Sequence, residues 1–413
     1  MKMGAALQKR ETIGTDLQFI RFLKKNGSDT MKKCFQCATC SVACSLSPEE
    51  YAFPRKEMIN AGWGLKDKLV TDADIWLCHG CMDCSYQCPR GARPADLLSS
   101  VRAFVYRFYA YPRFMGVALS TPKYLPLLLI IPVVLISILI MVTQNWDLNN
   151  LFPIVNGPFR YKDFIAHGPI EMLFIFGNIL IFAFAYFGFK NYFDDMTIPN
   201  ASKKKMNFIP AAIKVAEDLI VHKKFSDCQE NSNRYWGHLF LFYGFMGALI
   251  ATAIVVVDVM GIFGKFLPSD MNLPFYIIQI FDIHNSEHIT EMIGLITKLI
   301  GMTGGTLMLI GGLLFIVRRY TMIKRDGKSG YYDLLFLWVI WGVAFTGMLL
   351  VIFRLSEIPV AGYPTYFIHL ILVYFLLWYM PYSKFAHMIY RYLGLTKLKM
   401  YGRDSKPEVF SNN

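Results

Sequence analysis

Trp236 to Val257 is a run of 22 residues without one Asp, Glu, Lys or Arg. Roughly 20 apolar residues in a helix cross the hydrocarbon core of a bilayer. Backbone groups in lipid must pair within the segment, so such a run folds as a helix. Five further apolar runs lie near 124–143, 169–189, 291–317, 331–353 and 364–382. The expected fold is therefore all-α, with a transmembrane bundle of about six spans. Pro126 and Pro132 in the first run are compatible with this, because membrane helices tolerate proline. The stretch "NLPFYIIQIF", 272–281, is too short to span and is expected at an interface. Only 17% of the 413 residues are charged, against roughly 25% in average soluble chains.

The Lys and Arg residues alternate with the runs. Loop 190–235 carries eight, 318–333 five, and the tail from residue 383 six. The other loops are poor: two in 143–168, one in 258–290 and one in 354–363. The positive-inside rule then places both termini in the cytoplasm, with the bundle in the cytoplasmic membrane. The net charge of +12 flanks apolar runs. It suits an anionic membrane face better than a nucleic acid.

Residues 1–120 read as a separate cytoplasmic domain, and 121–413 as the membrane domain. The first thirty residues lack the continuous apolar core of a secretory signal. They suggest a short amphipathic helix and a Gly-Ser-Asp turn. Eight of the nine cysteines lie here, in "CFQCATCSVAC" and "CHGCMDCSYQCP". Both follow C-x2-C-x2-C-x3-C, the bacterial two-cluster ferredoxin spacing, in which the fourth cysteine serves the other cluster. One [4Fe–4S] cluster is expected on Cys34, Cys37, Cys40 and Cys88. The second is expected on Cys78, Cys81, Cys84 and Cys44. Ser45 stands where the first run would have its proline. Structural zinc needs four S or N ligands per site, and this doubled spacing is rare for it. Cys228, in the basic loop, reads as a free thiol.

The histidines supply a second set of ligands. His238 opens the third span, in "RYWGHLFLFYGF", and His387 follows the sixth, in "PYSKFAHMIYR". Both fall at the cytoplasmic end, as bis-His ligation of haem b requires. On one continuous helix His369 and His387 would share a face, roughly 27 Å apart, although Pro381 intervenes. A second haem would pair His369 with His288, favoured over His284 and His167. Whether the chain holds one haem or two is left open. His79 and His222 read as ordinary polar residues. Lys298 is either a quinone or propionate contact or a snorkelling side chain. Glu171, Glu291, Asp258 and Glu357, near span ends, are weak candidates for proton acceptors.

The first 120 residues resemble the small iron–sulfur C subunit of heterodisulfide reductase, through "CFQCATCSVAC", "FPRKEMINAGWGL" and "CHGCMDCSYQCP". The remainder resembles the haem b membrane subunit of respiratory nitrate reductase, the gamma type, through His369 and "PYSKFAHMIYR". That family carries two histidines on its early helix; here only His238 is present, and Ala248 stands ten residues on. The fusion is similar to the C subunit of the quinone-interacting membrane-bound oxidoreductase complexes of sulfate reducers. The resemblance implies the flavoprotein A and B subunits of such complexes as partners, menaquinol as donor and adenylylsulfate reductase as eventual acceptor.

Independently of that resemblance, membrane haem and cytosolic clusters would form a transverse electron wire whose membrane carrier is a quinone. No G-x-G-x-x-G opens a helix after a strand, so no dinucleotide site of that kind is expected. Substrate chemistry at the soluble end would then sit in a partner. Competing expectations are a subunit of a heterodisulfide reductase or of a sulfite-reductase-linked membrane complex, and a membrane anchor with inert clusters. A transporter is disfavoured, since matching broken helices are not evident.

Overall fold

The computed structural model describes residues 14–47, 52–146, 159–165, 167–198, 204–221, 232–259, 286–326 and 330–403. Its regular elements are helices. The N-terminal ones are α1 (Leu17–Lys25), α2 (Thr39–Ala43), α3 (Arg55–Gly62), α4 (Lys66–Val70), α5 (Asp83–Tyr86), α6 (Pro94–Phe108) and α7 (Arg113–Ser120). There follow α8 (Leu125–Thr143), α9 (His167–Asp195), α10 (Phe208–Ile220), α11 (Ser232–Val259) and α12 (Ser286–Asp326). The last are α13 (Tyr331–Leu355), α14 (Pro359–Trp378) and α15 (His387–Met400). No strand occurs among the described residues, and an isolated bridge joins Asp72 and Thr197.

Six segments are long and apolar enough to cross a membrane: Pro122–Thr143, Gly168–Asp195, Tyr235–Val256, Gly294–Lys324, Tyr331–Leu355 and Pro359–Trp378. They coincide with the six apolar runs, and the chain is an all-α, multi-pass membrane protein. The short apolar stretch 272–281 lies outside the described residues. The sixth span starts earlier than its apolar run, with Pro359 in its first turn. It ends at Trp378, and residues 380–382 and 384–386 form two short 3-10 turns around an extended Ser383. Pro381 has no amide with which to continue a helix. His369 and His387 therefore do not share a continuous helix, and the expected five-turn relation between them does not hold.

The chain divides into two compact units. One comprises Met1–Tyr109, Phe189–Glu230 and His387–Asn413; the other comprises Ala110–Gly188 and Asn231–Ala386. The first is thus built from three stretches of sequence. Its α1 begins on Asp16, whose carboxylate accepts the Phe19 N–H at 2.9 Å. The apolar face of α1 buries Phe19 and Leu23, and Phe19 meets Phe104 of α6 edge-on at 4.8 Å. Trp76 is fully buried, stacked on Tyr390 of α15 at 6.0 Å and edge-on to Tyr192 of α9. A Cβ at residue 394 would come within 2.7 Å of the Trp76 ring, so this close approach requires Gly394.

Beside Trp76 the unit buries three carboxylates, Glu57, Asp72 and Asp74. Lys56 Nζ lies 2.7 Å from both Asp72 and Asp74 and 3.3 Å from Glu57, and Arg403 pairs with Asp74. Two cations facing three carboxylates leave one negative charge to be neutralised by a proton. Burial pushes the Glu57 carboxyl up to about 8, with Lys56 opposing and the two aspartates adding to the rise. A carboxyl raised in the folded state binds its proton more tightly there than in the unfolded chain. Its contribution therefore makes stability fall as pH rises from the ordinary 4.5 towards 8. Glu57→Gln is expected to flatten that fall and to raise the thermal midpoint at alkaline pH by a few degrees. Melting curves across this pH window, followed by tryptophan fluorescence, check it. An unchanged slope would contradict it.

In the second unit α11 and α12 pack with their backbones close. A Cβ on Gly244 would lie 2.7 Å from the Gly304 carbonyl, and one on Gly311 would lie 2.6 Å from Leu241 N. Small residues allow this approach in lipid, where dispersion and not water exclusion drives helix association. Asp333, Arg319 and Lys384 form an ion-pair group that ties α12, α13 and the segment before α15 together.

Candidate functional site

The two cysteine runs fold alike. Two and four residues after the first cysteine the backbone turns left-handed, at Gln36 and Ala38 (φ 60° and 68°) and again at Gly80 and Met82 (φ 66° and 81°). Each run then enters a short helix, α2 or α5, and these two helices pack together. The turns direct donors at sulfur: Gly80 N–H to Cys78 Sγ at 3.1 Å, Gln36 Nε2 to Cys34 Sγ at 3.2 Å. Ala92 N–H reaches Cys88 Sγ at 3.3 Å. Such bonds are among the determinants of cluster potential.

The thiols influence one another across the runs. Burial pushes Cys40 up to about 11, and nearby Cys34 and Cys88 add to it. Burial pushes Cys44 up to about 12, opposed by the Leu46 amide and increased by Cys78 and Cys81. Cys84 is driven far up by burial, then by Cys78 and Cys44. Charge on either run is thus felt by thiols of the other. Exposed Cys37 is held below its ordinary value by hydrogen bonds from Thr39.

The spacing of the sulfurs also bears on the metal. Tetrahedral zinc, at about 2.3 Å from each thiolate, holds its sulfurs roughly 3.8 Å apart. Among the described residues, the only three or more His, Cys, Asp or Glu ligand atoms within 4.8 Å of one another belong to Glu57, Asp72 and Asp74. No cysteine trio is that tight.

Cys78 has a cationic surround that the spacing of the motif does not reveal. Arg102 donates to the carbonyls of Ile75 and Cys78, at 2.8 and 2.9 Å through Nη2. Arg391 of α15 reaches the Cys78 carbonyl at 3.3 Å, and its Nη2 lies 3.0 Å from the ring nitrogens of buried His79. Fixed positive charge favours the reduced, more negative state of a cluster. Arg391→Gln is expected to lower the midpoint potential of the second cluster while both clusters remain. A redox titration followed by electron paramagnetic resonance measures it, and an unmoved potential would contradict the assignment.

His387 is half-buried and opens α15, one turn before Arg391. His238 is half-buried on α11, with its ring 6.4 Å from those of Phe242 and Phe315. His369 Nδ1 lies 2.8 Å from Thr346 Oγ1 of α13. That hydroxyl also donates to the Gly342 carbonyl at 2.7 Å.

Helix register bears on the partner of His369. Thr346 lies between Trp341 and Met348, which pack on Gly312 and Gly305 of α12. The side chain of His288, the expected partner, lies outside the described residues. Ala248 packs against Gly304 near the level of His369, and no described histidine stands at that level. Lys298 is exposed on α12, compatible with snorkelling. His222, Cys228 and His284 lie outside the described residues, as do the side chains of His167, His288, Asp258 and Glu291.

Residues 30–92 match the model of the 4Fe-4S dicluster domain. The same part of the chain is similar to the C subunit of the H(2):CoB-CoM heterodisulfide,ferredoxin reductase of Methanothermobacter marburgensis. The two are 32% identical over 100 residues, covering 23% of this chain and 54% of the relative. It is 29% identical over 105 residues to a protein like the heterodisulfide reductase C subunit from Archaeoglobus profundus, covering 25% and 56%. It is 27% identical over 90 residues to the C subunit of the Ferredoxin/F(420)H(2)-dependent CoB-CoM heterodisulfide reductase of Methanosarcina acetivorans, covering 22% and 55%. The chain spans about half the length of these curated relatives. No solved structure matches it.

Proposed function

We propose that this chain is the membrane electron-transfer subunit of a quinone-linked oxidoreductase. In this reading it takes electrons from menaquinol and delivers them to cytoplasmic flavoprotein A and B subunits, towards adenylylsulfate reduction. The observation that carries the reading is the pair of cysteine runs with equivalent left-handed turns, whose short helices α2 and α5 pack together within the segment that matches the dicluster model. It supports two [4Fe–4S] clusters, on Cys34, Cys37, Cys40 and Cys88 and on Cys78, Cys81, Cys84 and Cys44. His238 and His387 are the proposed haem b ligands, on the sequence pattern. Haem and clusters, when bound, exchange single electrons, which splits the two-electron oxidation of a quinol into one-electron steps. The protein's own residues hold these groups and bias them: amides at the sulfurs, and Arg102 and Arg391 at Cys78.

Ala248 near the level of His369 supports one haem over two. Orientation with the cysteine unit in the cytoplasm rests on the Lys and Arg distribution. A second reading, a subunit serving a heterodisulfide-cleaving partner, is favoured by the names of the similar proteins. The test is a pyridine haemochrome assay with iron and sulfide analysis on the purified membrane protein. Haem b together with both clusters supports the proposal. Intact clusters with no haem would favour a non-redox anchor.

A further inference from the structure

Between the second and third membrane-crossing segments lies α10, with the sequence FIPAAIKVAEDLI. One face is occupied. Ala211, Ala212 and Val215 are buried, α10 packs on α15, and the Tyr392 hydroxyl donates to the Ala212 carbonyl at 3.2 Å. The N–H groups of Lys205 and Met206 bond the Met400 carbonyl, which fixes the entry to the helix.

The neighbouring face is apolar and uncovered. Ile209, Ile213 and Ile220 are 69%, 55% and 52% exposed. At 3.6 residues per turn these three fall within about 40° of one another, so they form a single stripe. Lys214 lies about 100° or more around the helix from that stripe. A soluble surface seldom leaves such a ridge bare.

The position of α10 says what covers it. Phe208, its first residue, meets the ring of Phe193 edge-on at 5.5 Å. Phe193 belongs to the last turn of α9, within the membrane-crossing segment Gly168–Asp195. Lys397 Nζ bonds the Phe193 carbonyl at 2.6 Å and sits 4.7 Å over its ring, so this contact is held from a second side. The start of α10 is thereby pinned where α9 leaves the bilayer. Lys204 and Lys205, both exposed, immediately precede it, the placement that attracts anionic headgroups.

We propose that α10 is an interfacial membrane helix whose ligand is the lipid bilayer. The isoleucine stripe enters the boundary between headgroups and acyl chains. Lys204 and Lys205 face phosphate, and the Lys214 side faces water. The proposal rests on the membrane-crossing segments and is independent of the redox reading.

The test uses the full chain in nanodiscs of phosphatidylcholine and phosphatidylglycerol. A benzophenone amino acid is placed singly as Ile213→p-benzoylphenylalanine, Ile220→p-benzoylphenylalanine or Lys214→p-benzoylphenylalanine. All three sites are exposed, so folding is preserved, and unchanged iron content checks this. After irradiation, lipid adducts are expected at 213 and 220 in at least about tenfold excess over 214. Equal yields at 213 and 214 would overturn the proposal. So would polypeptide adducts replacing lipid adducts at 213 when the complex is irradiated in native membranes.

Discussion

Cys88→Ser is expected to remove the cluster built on the first cysteine run and to leave the other. That outcome separates crossed from local ligation, because Cys88 belongs in sequence to the second run. Its thiol adds to the rise of Cys40, a residue of the first run, and its sulfur accepts from Ala92 N–H. Serine offers a harder oxygen, a poorer match than thiolate for cluster iron. Cluster iron should fall by about half, and one of two paramagnetic signals should vanish. The reciprocal variant, Cys44→Ser, should remove the other signal, since Cys44 stands beside Cys78 and Cys81. If Cys88→Ser abolishes only the second cluster, each run ligates its own cluster and the assignment is wrong.

His387→Ala is the second large effect. It should abolish the haem b absorbance while both clusters persist. His387 lies at the first position of α15, and several contacts that fix the helix lie further along it. Tyr390 stacks on Trp76, Gly394 makes room for it, and Arg391 holds Cys78 and His79. Truncating His387 leaves these in place, so loss of haem would not reflect loss of the unit. Unchanged haem content, read by pyridine haemochrome, would refute His387 as a ligand.

Much of this architecture is legible in the residues. Charge-free runs such as 236–257 admit one structure in lipid, so the six spans follow from hydropathy alone. The duplicated cysteine spacing carries its own geometry, because left-handed turns recur at equivalent positions in both runs. What sequence reasoning missed depends on distance along the chain. Arg391 and Cys78 are 313 residues apart, and no local pattern announces that a cation will face that loop. His79, read as an ordinary polar residue, is buried against the same guanidinium. Pro381 signalled the interruption after the sixth span, but not that it would end the shared face of His369 and His387. Nor does hydropathy show that 189–230 and 387–413 join the cysteine-bearing residues in one unit.

The most direct test of the electron-wire account follows cluster oxidation by a quinone. The protein in nanodiscs is reduced with dithionite, freed of excess reductant and mixed anaerobically with a menaquinone analogue. Rapid freezing and electron paramagnetic resonance then report both clusters. Both are predicted to reoxidise in the natural protein and to stay reduced in His387→Ala. Equal reoxidation in the two proteins, or none in either, would contradict it.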